Sequence, residues 1–360
     1  MRLSYFLLLI IFILPLWVSG QQKYSNEFLN LGVGSRAFGM SQAVTASAHD
    51  VTAGYWNPAG LARMDGNIQA ALMHSEYFAG IAKYDYAGFA ASVADNTAVA
   101  AVSLIRFGVD DIPDTSQLID ADGNINYDRV KSFSAADYAL ILSYARRKGK
   151  DSRNISADGL FYGANVKIIH RKVGEYGKSY GFGLDAGLQY IKGNWTFAAA
   201  GRDISTTYNS WSYNTDKLNT VYTETGNEIP KQRTEITYPK FILGTAYTYS
   251  KANISLTAET NLILSTDGRR NVLFSGDPLS ADPVFGLETG YKDIVFLRGG
   301  LGNIQKTTDF DGNKYTSMQP NMGIGIKIDN VSFDYALTDI GNVSDALYSN
   351  VFSIRMEFGK

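Results

Sequence analysis

Side chains along residues 180–190 sort onto two faces with a period of two. Tyr180, Phe182, Leu184, Ala186, Leu188 and Tyr190 fall on one face. Gly181, Gly183, Asp185, Gly187 and Gln189 fall on the other. Successive side chains alternate across a strand, so this stretch is extended, with one apolar face and one small or polar face. The split recurs. Leu160, Tyr162, Ala164, Val166 and Ile168 oppose Gly163, Asn165 and Lys167. Ile254, Leu256, Ala258 and Leu262 oppose Ser255, Thr257, Glu259 and Asn261. Met322, Ile324, Ile326 and Ile328 oppose Gly323, Gly325 and Lys327, and Phe352, Ile354, Met356 and Phe358 oppose Ser353, Arg355 and Glu357. A soluble sandwich also alternates. Here the segments run to about ten residues with aromatics near their ends, which fits lipid on one face and a wet lumen on the other.

About fourteen such segments follow one another from residue 66 onward. Links after the even-numbered segments are mostly tight, as at Asp95-Asn96, Gly193-Asn194, Lys251-Ala252, Lys292-Asp293 and Asp329-Asn330. Several links after the odd-numbered ones are long: 109–132, 205–237, 265–282, 305–318 and 340–348. The link 147–158 is long for a turn, and 77–80 and 174–179 are short for loops. Short turns on one side and long loops on the other fit a bacterial barrel with its turns in the periplasm. An open sheet would leave edge amides bare in hydrocarbon, so closure is required. The expected fold is therefore all-β: a transmembrane antiparallel β-barrel of about fourteen strands. About eight strands already let side chains fill a barrel. A wider one must hold water, a ligand or a plug.

Composition narrows the function classes. The 360 residues include 35 Gly, 23 Tyr and 19 Phe, a balance suited to strands and aromatic girdles. Net charge is −2, which offers no bulk attraction to nucleic acid. There is no Cys, which removes disulfides, thiol catalysis, a lipid-modified N-terminal Cys and Cys-based metal sites. Arg2 followed by an apolar run from Phe6 to Val18, then Val18-Ser19-Gly20, reads as a secretory signal cut before Gln21. The expected organisation is a signal at 1–20, an N-terminal hatch at 21–65 and an outer-membrane barrel at 66–360.

The hatch expectation rests on residues 34–61. Ala37, Met40, Ala43, Val44 and Val51 repeat at roughly helical spacing, and Gly34, Gly39 and Gly54 allow close backbone approach. Phe38, Met40, Tyr55 and Trp56 are too apolar to leave in water. A helical segment before the first strand can fold back into the lumen at little loop-closure cost. The run resembles the N-terminal signature of the PorV/PorQ family of outer-membrane proteins. The matching pieces are Gly34, Arg36 and Ala37, Gly39 and Met40, Ala43, Asp50, Ala53, and Trp56-Asn57-Pro58-Ala59-Gly60-Leu61. That family is related to the long-chain fatty-acid transporter (FadL) fold, a fourteen-strand barrel with an N-terminal hatch. The resemblance covers about thirty residues, and the terminal aromatic Phe358 sits two residues early. It implies a component of type IX secretion in Bacteroidetes that binds secretion subunits or secreted cargo. A FadL-like transporter of hydrophobic small molecules is the alternative, with a kinked wall strand and an apolar lumen pocket as its expected traces.

Chemistry of other kinds finds little support. His49, His74 and His170 lack metal spacing, and no HExxH or GxSxG run occurs, so no enzyme is expected. Gly181-x-Gly183 and Gly323-x-Gly325 open no helix, so they read as lumen glycines that make room for the hatch. No cofactor is expected; Ca²⁺ in the acidic outer loops, at residues 120–124 and 309–313, competes with plain Asp-Gly turn chemistry. Asp137, Lys167, Asp185, Glu259, Glu288, Arg298, Lys327, Arg355 and Glu357 are the expected lumen-facing charges, able to pair with one another or with Arg36 and Asp50. Outer loops are the expected partner contacts, with Tyr208, Trp211 and Tyr213 as aromatic anchors or as a continuing girdle.

Overall fold

The computed structural model describes residues 25–94, 97–119, 123–149, 158–225, 234–308, 311–338 and 349–359. The expected signal at 1–20 and much of the acidic runs at 120–124 and 309–313 lie outside the described residues. Among the described residues, sixteen strands form one sheet. They are β1 (Ile68–Tyr77), β2 (Ala82–Val93), β3 (Ala98–Asp114), β4 (Lys131–Arg147), β5 (Gly159–Val173), β6 (Gly177–Lys192), β7 (Trp195–Arg202), β8 (Thr207–Tyr213), β9 (Thr234–Thr237), β10 (Lys240–Lys251), β11 (Ile254–Ser265), β12 (Ser280–Tyr291), β13 (Val295–Thr308), β14 (Lys314–Ile328), β15 (Val331–Thr338) and β16 (Ser349–Phe358). Pairing is antiparallel throughout. The sheet closes where β1 meets β16, from Ile68↔Phe358 to Glu76↔Asn350.

The wall has fourteen positions, because two of them are each built from two strand pieces. β6 pairs with β7 in its lower part and with β8 in its upper part. β8 pairs with β9, and β7 with β10. The seventh wall strand is thus β7 continued by β8, and the eighth is β9 continued by β10. Residues 207–213 and 234–237, expected within an outer loop, belong to the wall. What remains of that loop carries α3 (Thr215–Thr225).

The two faces follow the alternation. Leu188 is 48% exposed to the exterior, whereas its neighbour Gln189 is fully buried inside. Leu72, Phe197, Ile324 and Phe352 likewise face outward. The buried apolar core lies between the wall and the N-terminal segment. Val33, Met40, Val51, Leu61 and Met64 of that segment pack with Tyr84, Ile105, Ile141, Phe161 and Ile169 of β2 to β5. Ile141 and Phe161, apolar on inward positions, are thus explained by this packing.

The N-terminal segment is not one helix. It holds α1 (Ser35–Gly39), α2 (Ala53–Trp56) and short 3-10 turns at Glu27–Asn30 and Pro58–Arg63. The chain leaves α1 through Ser41 and Gln42, both with positive φ (51° and 66°), which ends a right-handed helix. Its apolar residues are buried on all sides, so their spacing reflects enclosure rather than one amphipathic face.

An arginine at Leu188 is expected to cost about 2–4 kcal/mol, because that outward side chain lies near the middle of the apolar band. Lys192→Arg, beside the turn, is expected to be silent. Urea titration of vesicle-inserted protein, read by heat-modifiable gel migration, measures both.

Candidate functional site: a filled bore and a broken wall strand

Glycines on both sides let the N-terminal segment touch the wall backbone to backbone. A Cβ at Gly39 would stand 2.9 Å from Gly323 Cα of β14. Met40 and Ser41 press on Gly286 and Gly300, and Pro58 presses on Gly163. Gly60 has no alternative, because a Cβ there would lie 2.1 Å from the Ala48 carbonyl oxygen. Gly323 therefore makes room for the segment as expected. Gly181, Gly183 and Gly325 instead make room for wall side chains: Asn209, Thr207, and Arg298 with Asp334.

Polar groups then fix the seating. Arg36 donates from Nε and Nη2 to the two oxygens of Glu288, each at 2.9 Å. Glu288 also accepts from Arg298 Nε at 2.6 Å, and Arg298 pairs with Asp334 at 2.6 Å. Asp50 pairs with Arg355 while its other oxygen caps Thr52 N at 2.8 Å. Arg355 and Lys327 both reach Glu357, at 3.5 and 3.1 Å. Glu259 takes the amides of Ala46 and Ser47 at 2.7 and 2.9 Å. Asn57 is fully buried and donates to the carbonyls of Thr45 and Leu188, both at 3.1 Å. Trp56 Nε1 donates to Val33 O at 2.9 Å, and Gly34 N approaches Met73 Sδ. Ala37 and Ala59 are buried. A cavity of about 30 Å³, room for a water or two, is lined by Arg36, Asp50, Arg355 and Asp334.

The second feature is the break in the seventh wall strand. Against β6, β7 ends at Gly201↔Ala186 and β8 resumes at Tyr208↔Phe182. Six residues of one strand thus face three of its neighbour, a bulge of three. Within it, Ile204 N donates to Leu184 O at 2.9 Å and Ile204 is turned outward. Asp203 points inward to the buried Lys167 (2.5 Å), which also holds Asp185 at 2.8 Å. The first turn of the N-terminal segment covers the break from inside. Asn26 donates to Thr237 at 2.8 Å, and Lys240 donates to Asn30 at 2.7 Å. Arg202 lies over the Tyr55 ring, 4.4 Å from its centroid.

The remaining expected residues are dispersed. Asp137 pairs with Arg171 at 3.0 Å in the upper bore. Tyr208 faces outward at 54% exposure and Trp211 faces inward at 7%, with Arg171 5.2 Å from its ring. Tyr213 ends β8. These three stand on a wall strand, not in a loop. His170 lies outside the barrel, its ring 4.5 Å from that of Tyr180. Asp110 pairs with Lys83, and among the described residues no group of acidic or histidine side chains could hold a metal ion. Sequence reading missed Asp203, Arg202 and Lys240. The adjacent charges Arg202-Asp203, where an apolar band should continue, were the one available signal.

No protein-family model matches the sequence, and no curated protein matches it. Solved structures do. The P. putida toluene transporter TodX aligns at a TM-score of 0.52 and 12% identity, over 91% of this chain and 99% of its own. The Ralstonia pickettii toluene transporter TbuX gives 0.53 and 13%, over 91% and 98%. The monoaromatic hydrocarbon channel CymD gives 0.53 and 10%, over 92% and 98%. At such identities the likeness is one of fold. The architecture shared with them is an outer-membrane type of β-barrel, closed among the described residues by fourteen antiparallel wall strands. Neighbours that are transporters and channels are consistent with the expectation of no enzyme. They supply nothing for PorV, PorQ, type IX secretion or Bacteroidetes.

Removing one member of a buried ion pair costs about 3–5 kcal/mol, and Glu288 retains Arg298. Arg36→Ala is therefore expected to fold but to loosen the segment, raising single-channel conductance and antibiotic leak. The Asp50 carboxyl has its pKa lowered to about 2 from 3.8; burial opposes this, and the Arg355 charge, the Thr52 hydrogen bond and Arg36 outweigh it. Its contribution is complete above about pH 4 and is lost as pH falls through about 2. Conductance recorded from pH 7 down to 3 is expected to rise only at the acid end, and Asp50→Asn is expected to flatten that rise.

Proposed function

We propose that this chain is an outer-membrane channel that admits small hydrophobic molecules and passes them sideways into the membrane through the broken wall strand. The observation that carries the reading is the three-residue mismatch at 202–207, covered from inside by residues 26–30 and by Tyr55. Two supports accompany it: the fold shared with TodX, TbuX and CymD, and the apolar wall of Tyr84, Phe107 and Tyr77 beside Leu31. Straight passage to the periplasm is opposed by residues 53–63, which are buried against β3 to β6. An apolar solute gains by moving directly into hydrocarbon rather than into water. Lys167, Asp185 and Asp203 hold the break in shape by pairing across it. Displacement of the first turn then uncovers it.

A second reading keeps the type IX secretion role, with secretion subunits or secreted cargo as partners. Ile119, Ile125 and Tyr127 stand exposed on one outer loop, as a protein contact would require. The motif at 34–61 lends it less, since Arg36, Asn57 and Gly60 are all engaged in seating the segment.

Deleting Ile204, Ser205 and Thr206 restores register against β6. Vesicles carrying this variant are expected to take up a monoaromatic hydrocarbon no faster than protein-free vesicles, with heat-modifiable migration retained. Uptake at the unmodified rate would overturn the sideways route. Native pull-down that recovers secretion subunits, with no uptake by the unmodified protein, would favour the second reading.

A further inference from the structure

On the outer wall, far from the broken strand, a fissure of about 720 Å³ runs across β14, β15, β16, β1, β2 and β3. This volume falls in the range of specific ligand sites, about 300–1,000 Å³. Its body is hydrocarbon: Leu72, Ala87, Leu104, Ile324, Phe333 and Phe352. One end is ionic. His74 Nδ1 lies 2.7 Å from Asp85 Oδ1, and Arg106 donates to Asp85 Oδ2 at 3.2 Å. Just beyond this lining, Glu76 stands 3.8 Å from the other His74 nitrogen, and Lys83 pairs with Asp110 at 3.3 Å.

These side chains face the lipid, not the bore. Arg106 sits about 20 Å above the periplasmic end of β3, and His74 about 15 Å above that of β1, within an apolar band about 25 Å tall. The tip above them is apolar too, with Phe78 and Ile81 exposed. Ionisable groups at this depth are costly and mark a site that uses them. The Arg106 guanidinium lies over Gly108, 2.7 Å from where a Cβ would stand, so it is aimed upward, toward lipid headgroups.

We propose that this fissure is a specific site for a phospholipid with a zwitterionic head, a phosphodiester beside a primary amine. The charges choose the occupant. Arg106 and Lys83 suit a phosphate, and Glu76, Asp85 and Asp110 suit an ammonium. A purely anionic head would meet three carboxylates, and an uncharged one would leave the Arg106–Asp85 and Lys83–Asp110 pairs as they stand and gain nothing from them. The apolar body takes the acyl chains. The inference is independent of what passes through the bore.

The test uses the full chain purified in detergent, with phosphatidylethanolamine, phosphatidylglycerol or lipopolysaccharide added and retained lipid counted by native mass spectrometry. Phosphatidylethanolamine is expected to be retained in preference to the other two. Arg106→Ala is expected to weaken that retention roughly tenfold, the worth of one charge-assisted hydrogen bond. Ala87→Trp fills the fissure without touching a charge and is expected to weaken it as well. Both variants are expected to keep heat-modifiable migration and the hydrocarbon uptake of the parent. Equal retention of the three lipids, preference for lipopolysaccharide, retention unchanged in both variants, or a protein chain cross-linked through position 87 would each overturn the proposal.

Discussion

Everything in this molecule depends on backbone amides that have no water to turn to. In hydrocarbon an unpaired amide costs several kcal/mol, so the ladder between β1 and β16 is an obligation rather than an ornament. Closing the ring at fourteen positions leaves a bore too wide for its own side chains. The N-terminal segment meets that second demand, and its glycines face wall glycines because nothing bulkier fits between two backbones. The ion pairs of Arg36 and Asp50 are then affordable, since each buried charge finds an opposite one already mounted on the wall.

The same demand explains why the break in the seventh strand is polar. Residues 203–206 leave the ladder against β6, and their neighbourhood would expose unpaired groups if it were apolar. Asp203 and Asp185 take over, with Asp185 accepting the Asp203 amide at 2.8 Å and Lys167 bridging the two carboxylates. A discontinuity in a membrane wall is tolerated only where protein lines it, and here both the side-chain cluster and the first turn of the N-terminal segment do so.

Much of the wall was legible in the sequence because alternation is a local signal. Leu188 and Gln189 declare their faces by adjacency alone. The break was not legible. Ser205-Thr206 reads as the start of a loop, and so hid the continuation in β8 and turned Trp211 from an inward wall residue into an apparent loop anchor. The seating of Arg36 was half legible: its need for an acid inside the bore followed from burial, but its partner lies 252 positions away and only the closed ring brings them together. The irregular path of residues 34–61 was illegible for the opposite reason. A segment enclosed on every side buries apolar residues at any spacing, so an apparent helical period carries little information there.

The course of residues 25–64 bears on how the molecule is built. Ser25 and Asn26 touch Asn209 and Thr237, Gly39 touches β14, and Asn57 and Pro58 touch β5 and β6, so one strip of chain visits nearly the whole inner circumference. Such a strip is hard to thread into a finished ring whose walls it must grip at glycine-to-glycine distance.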